Sequence, residues 1–212
     1  MNRVVFVGGF STGQSAVEKV GLALESYFQD VELFTLSSYV KNPQIVRSAA
    51  EKATLITHSA GALALQTPGV RPDQAYLLNP PLPRSIPNLL VRAAIKTARM
   101  YAPGAGIHSF DDVRTASKFM LSTYAEMATH PIANLSQLPG ISSHNSIISA
   151  IAAKQAGTNV ELTWTNHDMY FMPSLIELQT TACYDIPATI FAGEHDEVML
   201  HPEPFLANVL NS

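Results

Sequence analysis

Short runs of apolar, β-branched residues alternate along the chain with longer segments whose apolar positions recur every three or four residues. "RVVFVGG" precedes a helical pattern over Ser15–Tyr27, and "VELFTL" precedes another over Gln44–Ala53. "TLITH" precedes a small-residue segment, Ala60–Gln66, and "AYLLN" follows it. Strand-length runs separated by helices predict βαβ units and a parallel sheet. Ligands of such sheets sit beyond the carboxyl ends of the strands. That edge is therefore where chemistry is expected.

The rhythm breaks at "NPPLPRSIP", where Pro80, Pro81, Pro83 and Pro87 forbid regular structure. An insertion is expected to start there. It holds an amphipathic helix over about Ile86–Tyr101, a "PGAG" turn, and a second helix capped by Ser109 with Asp111 and Asp112 in its first turn. "LPG" at Leu138–Gly140 closes it. A helix over about His144–Gln155, the strands "NVELTW" and "IPATIFAG", and a last helix from Pro202 complete the pattern. The expected division is a core of residues 1–82 and 139–212 with a helical insertion at 83–138. Arg84, Arg92, Lys96 and Arg99 make the insertion cationic, since no acidic residue lies between Asp73 and Asp111. With Leu89, Leu90, Ala93 and Ile95 they read as a lid with a wet outer face. The other reading is a helix that lies on a membrane or meets an anionic substrate.

Composition narrows the classes. The 212 residues are 47% apolar and 14% charged, which suits one packed α/β domain. A net charge of −4 supplies no overall positive field to gather phosphates, so small molecules or proteins are expected as partners and nucleic acid is not. Cys183 is the single cysteine and can form neither an internal disulfide nor a thiolate cage. The first residues, "MNRVVFVGGF", lack the pattern of a signal peptide, and no run reaches the roughly 20 apolar residues of a membrane span. A cytoplasmic protein without stable membrane insertion is expected. Oligomeric state is not legible.

The candidate chemistry centres on "THSAG", Thr57–Gly61, where a strand runs into a helix with Ser59 at the join. A nucleophile elbow needs small residues around its serine, because the backbone there is tightly turned and strained. Gly61 meets that need, and Thr57 meets it less well. An ordinary helix start at a serine is the bland reading. On this motif, on "FVGGFSTG" at the end of the first strand, and on two carboxyl-terminal segments, the chain resembles the α/β-hydrolase family. The resemblance implies a mostly parallel sheet of about six strands flanked by helices, without the family's first hairpin. It implies Ser59 as nucleophile and the backbone N–H groups of Phe10 and Ala60 as the oxyanion hole. It implies no cofactor and no metal.

The same family pattern places an acid and a base near the carboxyl terminus. "VELTWTNHDMYFMPS" resembles the strand that ends in the acid, giving Asp168, with Thr165 where a glycine is usual. "ATIFAGEHDEVMLHPEPF" resembles the final strand, giving His195 as base. Asp196 with His201 is the rival pair, although five residues cannot cross the sheet and return. His58, His108, His130 and His144 are expected to be structural or solvated. A metal set could be drawn from Glu194, His195, Asp196 and His201, or from His167 and Asp168, but neither has a recognised ligand spacing.

The expected activity is cleavage of a small or medium carboxylic ester or thioester through an acyl-enzyme. A non-catalytic small-molecule binder on the same fold is one alternative. The other is a nucleotide-binding protein using Gly8–Ser15, "GGFSTGQS", which fits a phosphate loop except that Gln14 stands in place of its lysine.

Overall fold

The computed structural model describes residues 3–10, 12–92, 131–168 and 170–211, with 117, 118, 121, 123, 125, 128 and 129 between them. Much of the insertion, including the "PGAG" turn, Ser109, Asp111, Asp112, His108 and His130, lies outside the described residues.

Six strands are described: β1 (Arg3–Val7), β2 (Asp30–Phe34), β3 (Thr54–His58), β4 (Gln74–Leu78), β5 (Asn159–Thr165) and β6 (Ala188–Phe191). All pair in parallel, in the order β2-β1-β3-β4-β5-β6. Both faces of this sheet are covered, which is why its strands read as nearly continuous apolar runs. Val5, Val7, Leu55, Leu77, Leu162 and Trp164 point into one core, and Val4, Phe6, Ile56, Tyr76 and Leu78 into the other. Successive side chains take opposite faces, so each strand serves both cores.

The described helices are α1 (Gln14–Leu24), α2 (Leu36–Lys41), α3 (Pro43–Ala50), a 3₁₀ helix (Ser59–Gln66), α4 (Pro131–Leu135), α5 (Leu138–Ser143), α6 (Ser146–Gln155), α7 (Leu175–Cys183), α8 (Glu197–Leu200) and α9 (Pro202–Leu210). Residues of α1, α8 and α9 fill the core that contains Phe6, while those of α3, the 3₁₀ helix and α6 fill the core that contains Trp164.

Two local expectations are corrected, and a third segment is placed. The segment after β2 turns into α2 at Leu36 because the Thr35 hydroxyl accepts from the Ser38 N–H at 3.1 Å and caps a helix there. "LPG", where the insertion was expected to close, opens α5, with Pro139 in the first turn where its missing N–H costs nothing. The next helix starts at Ser146, not His144, since Asn145 Oδ1 accepts from the N–H groups of Ile147 and Ile148.

The two ends of the insertion meet. Arg84 N–H donates to the Ser142 carbonyl at 2.9 Å, and Ser146 N–H donates to the Pro81 carbonyl at 3.1 Å. The chain thus leaves the sheet just after β4 and returns to the same place before α6.

Candidate active site

Strand order reverses direction between β1 and β3, since β2 lies to one side of β1 and the later strands follow β3 to the other. A crevice opens at such a point beyond the carboxyl ends. Gly8 and Gly9 leave β1 there, and Ser59 leaves β3 beside them.

Ser59 has φ of 50°, a left-handed conformation that a serine adopts only when its surroundings impose it. Those surroundings are close. A Cβ on Gly61 would lie 2.2 Å from the Val7 carbonyl oxygen, so only glycine lets the 3₁₀ helix pack on the end of β1. A Cβ on Gly9 would lie 2.9 Å from Ser59 Cβ, so the loop after β1 runs directly against the serine. Thr57 is fully buried within β3, and the turn forms with its side chain in place.

Asp168 follows β5 and His195 follows β6. His195 Nδ1 lies 2.9 Å from Asp168 Oδ2, and both residues are buried. The other carboxylate oxygen, Asp168 Oδ1, accepts from Tyr170 N–H at 2.7 Å and Phe171 N–H at 3.1 Å. Burial alone would raise the Asp168 carboxyl. The charge of His195, the contact with its ring and the two backbone donors outweigh that and hold the carboxyl below its ordinary value.

The His195 ring is packed on several sides. Tyr170 meets it edge-on at 4.8 Å and Phe171 lies 5.7 Å away. His58, the residue before Ser59, lies 5.0 Å from it, which brings the histidine to the serine's own strand end. The Tyr170 phenol is pushed up by burial and by the charges of Asp196, Asp168 and Glu194, and so stays protonated.

The rival pair is not brought together in this way. His201 is exposed at the start of α9, and Asp196 precedes α8 with its carboxylate 3.9 Å from His58 Nε2. His167 is exposed and faces Glu194 at 3.9 Å. Among the described residues, His58, His195 and Asp196 offer ligand atoms within 4.8 Å of one another. Both histidines are already engaged, since His58 Nε2 donates to the His195 carbonyl at 2.9 Å and His195 Nδ1 faces Asp168. In the glycine-rich loop, Gln14 turns outward and donates to Glu18 at 3.1 Å, while Gly9 abuts the serine.

No protein-family model matches the sequence, and no curated protein does. Solved structures match over nearly the whole chain. A carboxylesterase of the thaumarchaeon Nitrososphaera gargenis is 15% identical with a TM-score of 0.67, covering 99% of this chain and 89% of that one. The enol-lactonase from Burkholderia xenovorans is 14% identical with a TM-score of 0.65, covering 100% and 91%. A hydrolase from Oleispira antarctica is 14% identical with a TM-score of 0.68, covering 100% and 92%. The chain has the α/β-hydrolase fold.

Within the α/β-hydrolase fold, Asn79 is the buried polar residue that sequence reasoning missed. It leaves β4 with φ of 47° and is fully buried, and its side chain bonds to both Thr165 and the His195 carbonyl. An asparagine at the end of an apolar strand was the available signal. Among the described residues, no helix is long and apolar enough to cross a membrane.

Proposed function

We propose that this chain is a serine hydrolase that cleaves a small or medium carboxylic ester or thioester through an acyl-enzyme. The observation that carries the reading is Ser59, held at φ 50° at the end of β3 with the buried His195 and Asp168 pair in the neighbouring loops. The Ser59 hydroxyl attacks the substrate carbonyl carbon and passes its proton to His195 Nε2. Asp168, kept ionised, faces Nδ1–H, fixes the tautomer and stabilises the imidazolium. The oxyanion that forms meets the N–H groups of Phe10 and Ala60. Ala60 is in the first turn of the 3₁₀ helix, whose first N–H groups lack intrahelical partners, and the close approach of Gly9 to Ser59 supports Phe10, the next residue, as the second donor.

As the oxyanion collapses, His195 returns its proton to the departing alcohol or thiol. Water then repeats the sequence on the acyl group and regenerates Ser59. Residues 83–138 act as a lid over this edge, an assignment supported by the neck at Arg84 and Ser142 beside the carboxyl end of β4. Small esters or thioesters are the partners, with no cofactor or metal in the chemistry. The setting is cytoplasmic.

Ser59→Ala should abolish ester hydrolysis and labelling by a fluorophosphonate while the thermal transition stays in place, with a loss on the order of 10⁴ in kcat. Equal turnover by wild type and variant, across acyl chains of graded length, would remove the hydrolase reading.

A further inference from the structure

His195 stands in a loop beyond the last residue of β6, where no strand ladder holds the backbone. Its carbonyl oxygen nevertheless has two buried donors. Asn79 Nδ2 donates to it at 2.6 Å and His58 Nε2 at 2.9 Å. The carbonyl can only accept, so His58 carries its proton on Nε2 and the Asn79 amide nitrogen faces the loop.

Asn79 is itself fixed at three points. Its backbone N–H donates to the Thr163 carbonyl at 2.7 Å. Its Oδ1 accepts from the Thr165 N–H at 2.7 Å and from the Thr165 hydroxyl at 3.2 Å. Thr165 in turn begins the acid loop, since the Asp168 N–H donates to the Thr165 carbonyl at 3.0 Å. A single amide side chain therefore ties the loop that bears the acid to the loop that bears the base. Asparagine suits this place because it offers an acceptor and a donor from one short, stiff stem.

We propose that Asn79 and His58 are positioning residues that clamp the His195 main-chain carbonyl and thereby set where its imidazole stands between Asp168 and Ser59. The proposal rests on the reading of His195 as general base. With the carbonyl held, two side-chain torsions remain, and Asp168 with the Tyr170 ring limits both. Displacement of a reacting group by about 1 Å can cost on the order of 10²-fold in rate. The clamp acts on the catalytic step, so kcat should change and KM should not.

Asn79→Asp is the sharpest test, since it keeps the acceptor toward Thr165 and removes the donor toward His195. The expected result is a fall in kcat of about 10- to 100-fold with KM within about twofold, together with loss of the low-field proton NMR signal of His195 Nδ1–H. His58→Gln retains an N–H donor and should recover much of the activity and signal that His58→Phe loses. A folded Asn79→Asp with wild-type kcat and an unchanged signal would overturn the clamp. If that variant does not fold, equal behaviour of His58→Gln and His58→Phe overturns it instead. The NMR arm needs no turnover, so it separates the two readings. Wild-type protein that hydrolyses no ester and leaves Ser59 unlabelled defeats the hydrolase reading, while the signal in Asn79→Asp still decides the clamp.

Discussion

At the residue scale, the two acid and base assignments make opposite demands. His195→Ala and Asp168→Asn should each lose most ester hydrolysis, the latter because an amide can favour the wrong tautomer. His201→Ala and Asp196→Asn should keep most of theirs, apart from a modest shift of pH optimum from the charge removed near His58. The reverse pattern would move the acid to the loop after β6. Ser59, Asp168 and His195 could be picked out as candidates from the sequence because each sits just past a strand-like run and their chain order matches a known pattern, and the structure sets His195 against Asp168. Asn79 was not, because its partners lie 86 and 116 residues away and meet it only once β4, β5 and the final loop are side by side. Thr57 raises a smaller matter. Among the described residues its buried hydroxyl has no hydrogen-bond partner, so Thr57→Val should leave stability unchanged or raise it by about 1 kcal/mol, read from the urea midpoint.

At the element scale, the decisive contact is between the 3₁₀ helix and the end of β1. The atoms a side chain at position 61 would meet are the Val7 and Gly8 carbonyl oxygens, at 2.2 and 2.8 Å, and backbone cannot swing aside. Gly61→Ala should therefore cost about 3 kcal/mol or more and slow labelling of Ser59, as the helix is forced off the loop that faces the serine. Gly140→Ala in α5 is the contrast. No atom of the described residues lies within 4 Å of that added carbon, so it should stabilise by about 0.5–1 kcal/mol. The sheet elements were legible because both faces are buried and the runs are long. The short helix α2 was not read although Thr35 caps it, because apolar periodicity over its 6 residues is too short to stand out, whereas α7 carries a capping box of Ser174 with Glu177.

At the scale of the whole molecule, His144 links stability to pH. It is buried between α5 and α6 with neither ring nitrogen hydrogen-bonded among the described residues, and burial lowers it to about 4. From 6.5 down to about 4 the unfolded chain takes up a proton that the folded chain resists, so stability falls as pH falls. The slope from this one group is at most about 1.4 kcal/mol per pH unit. Asp168 acts lower, because its depressed carboxyl contributes stability that is complete above 3.8 and is lost as pH falls below that value. His144→Leu should flatten the decline between pH 6.5 and about 4.5 in urea titrations and leave the more acidic limb in place. A decline of equal slope in wild type and variant would clear His144 of that role.

The neck between Arg84 and Ser142 has a consequence for descent. A peptide hydrogen bond joins the two ends of 85–141, and of the described residues there only Leu89 and Ile141, near those ends, enter the main core, so the length between them can change while the ends stay where they are. A change of length there would leave the sheet, Ser59 and Asn79 where they are. Appetite for a new acyl group can arise by trading one segment, and the inherited machinery beneath need not be relearned.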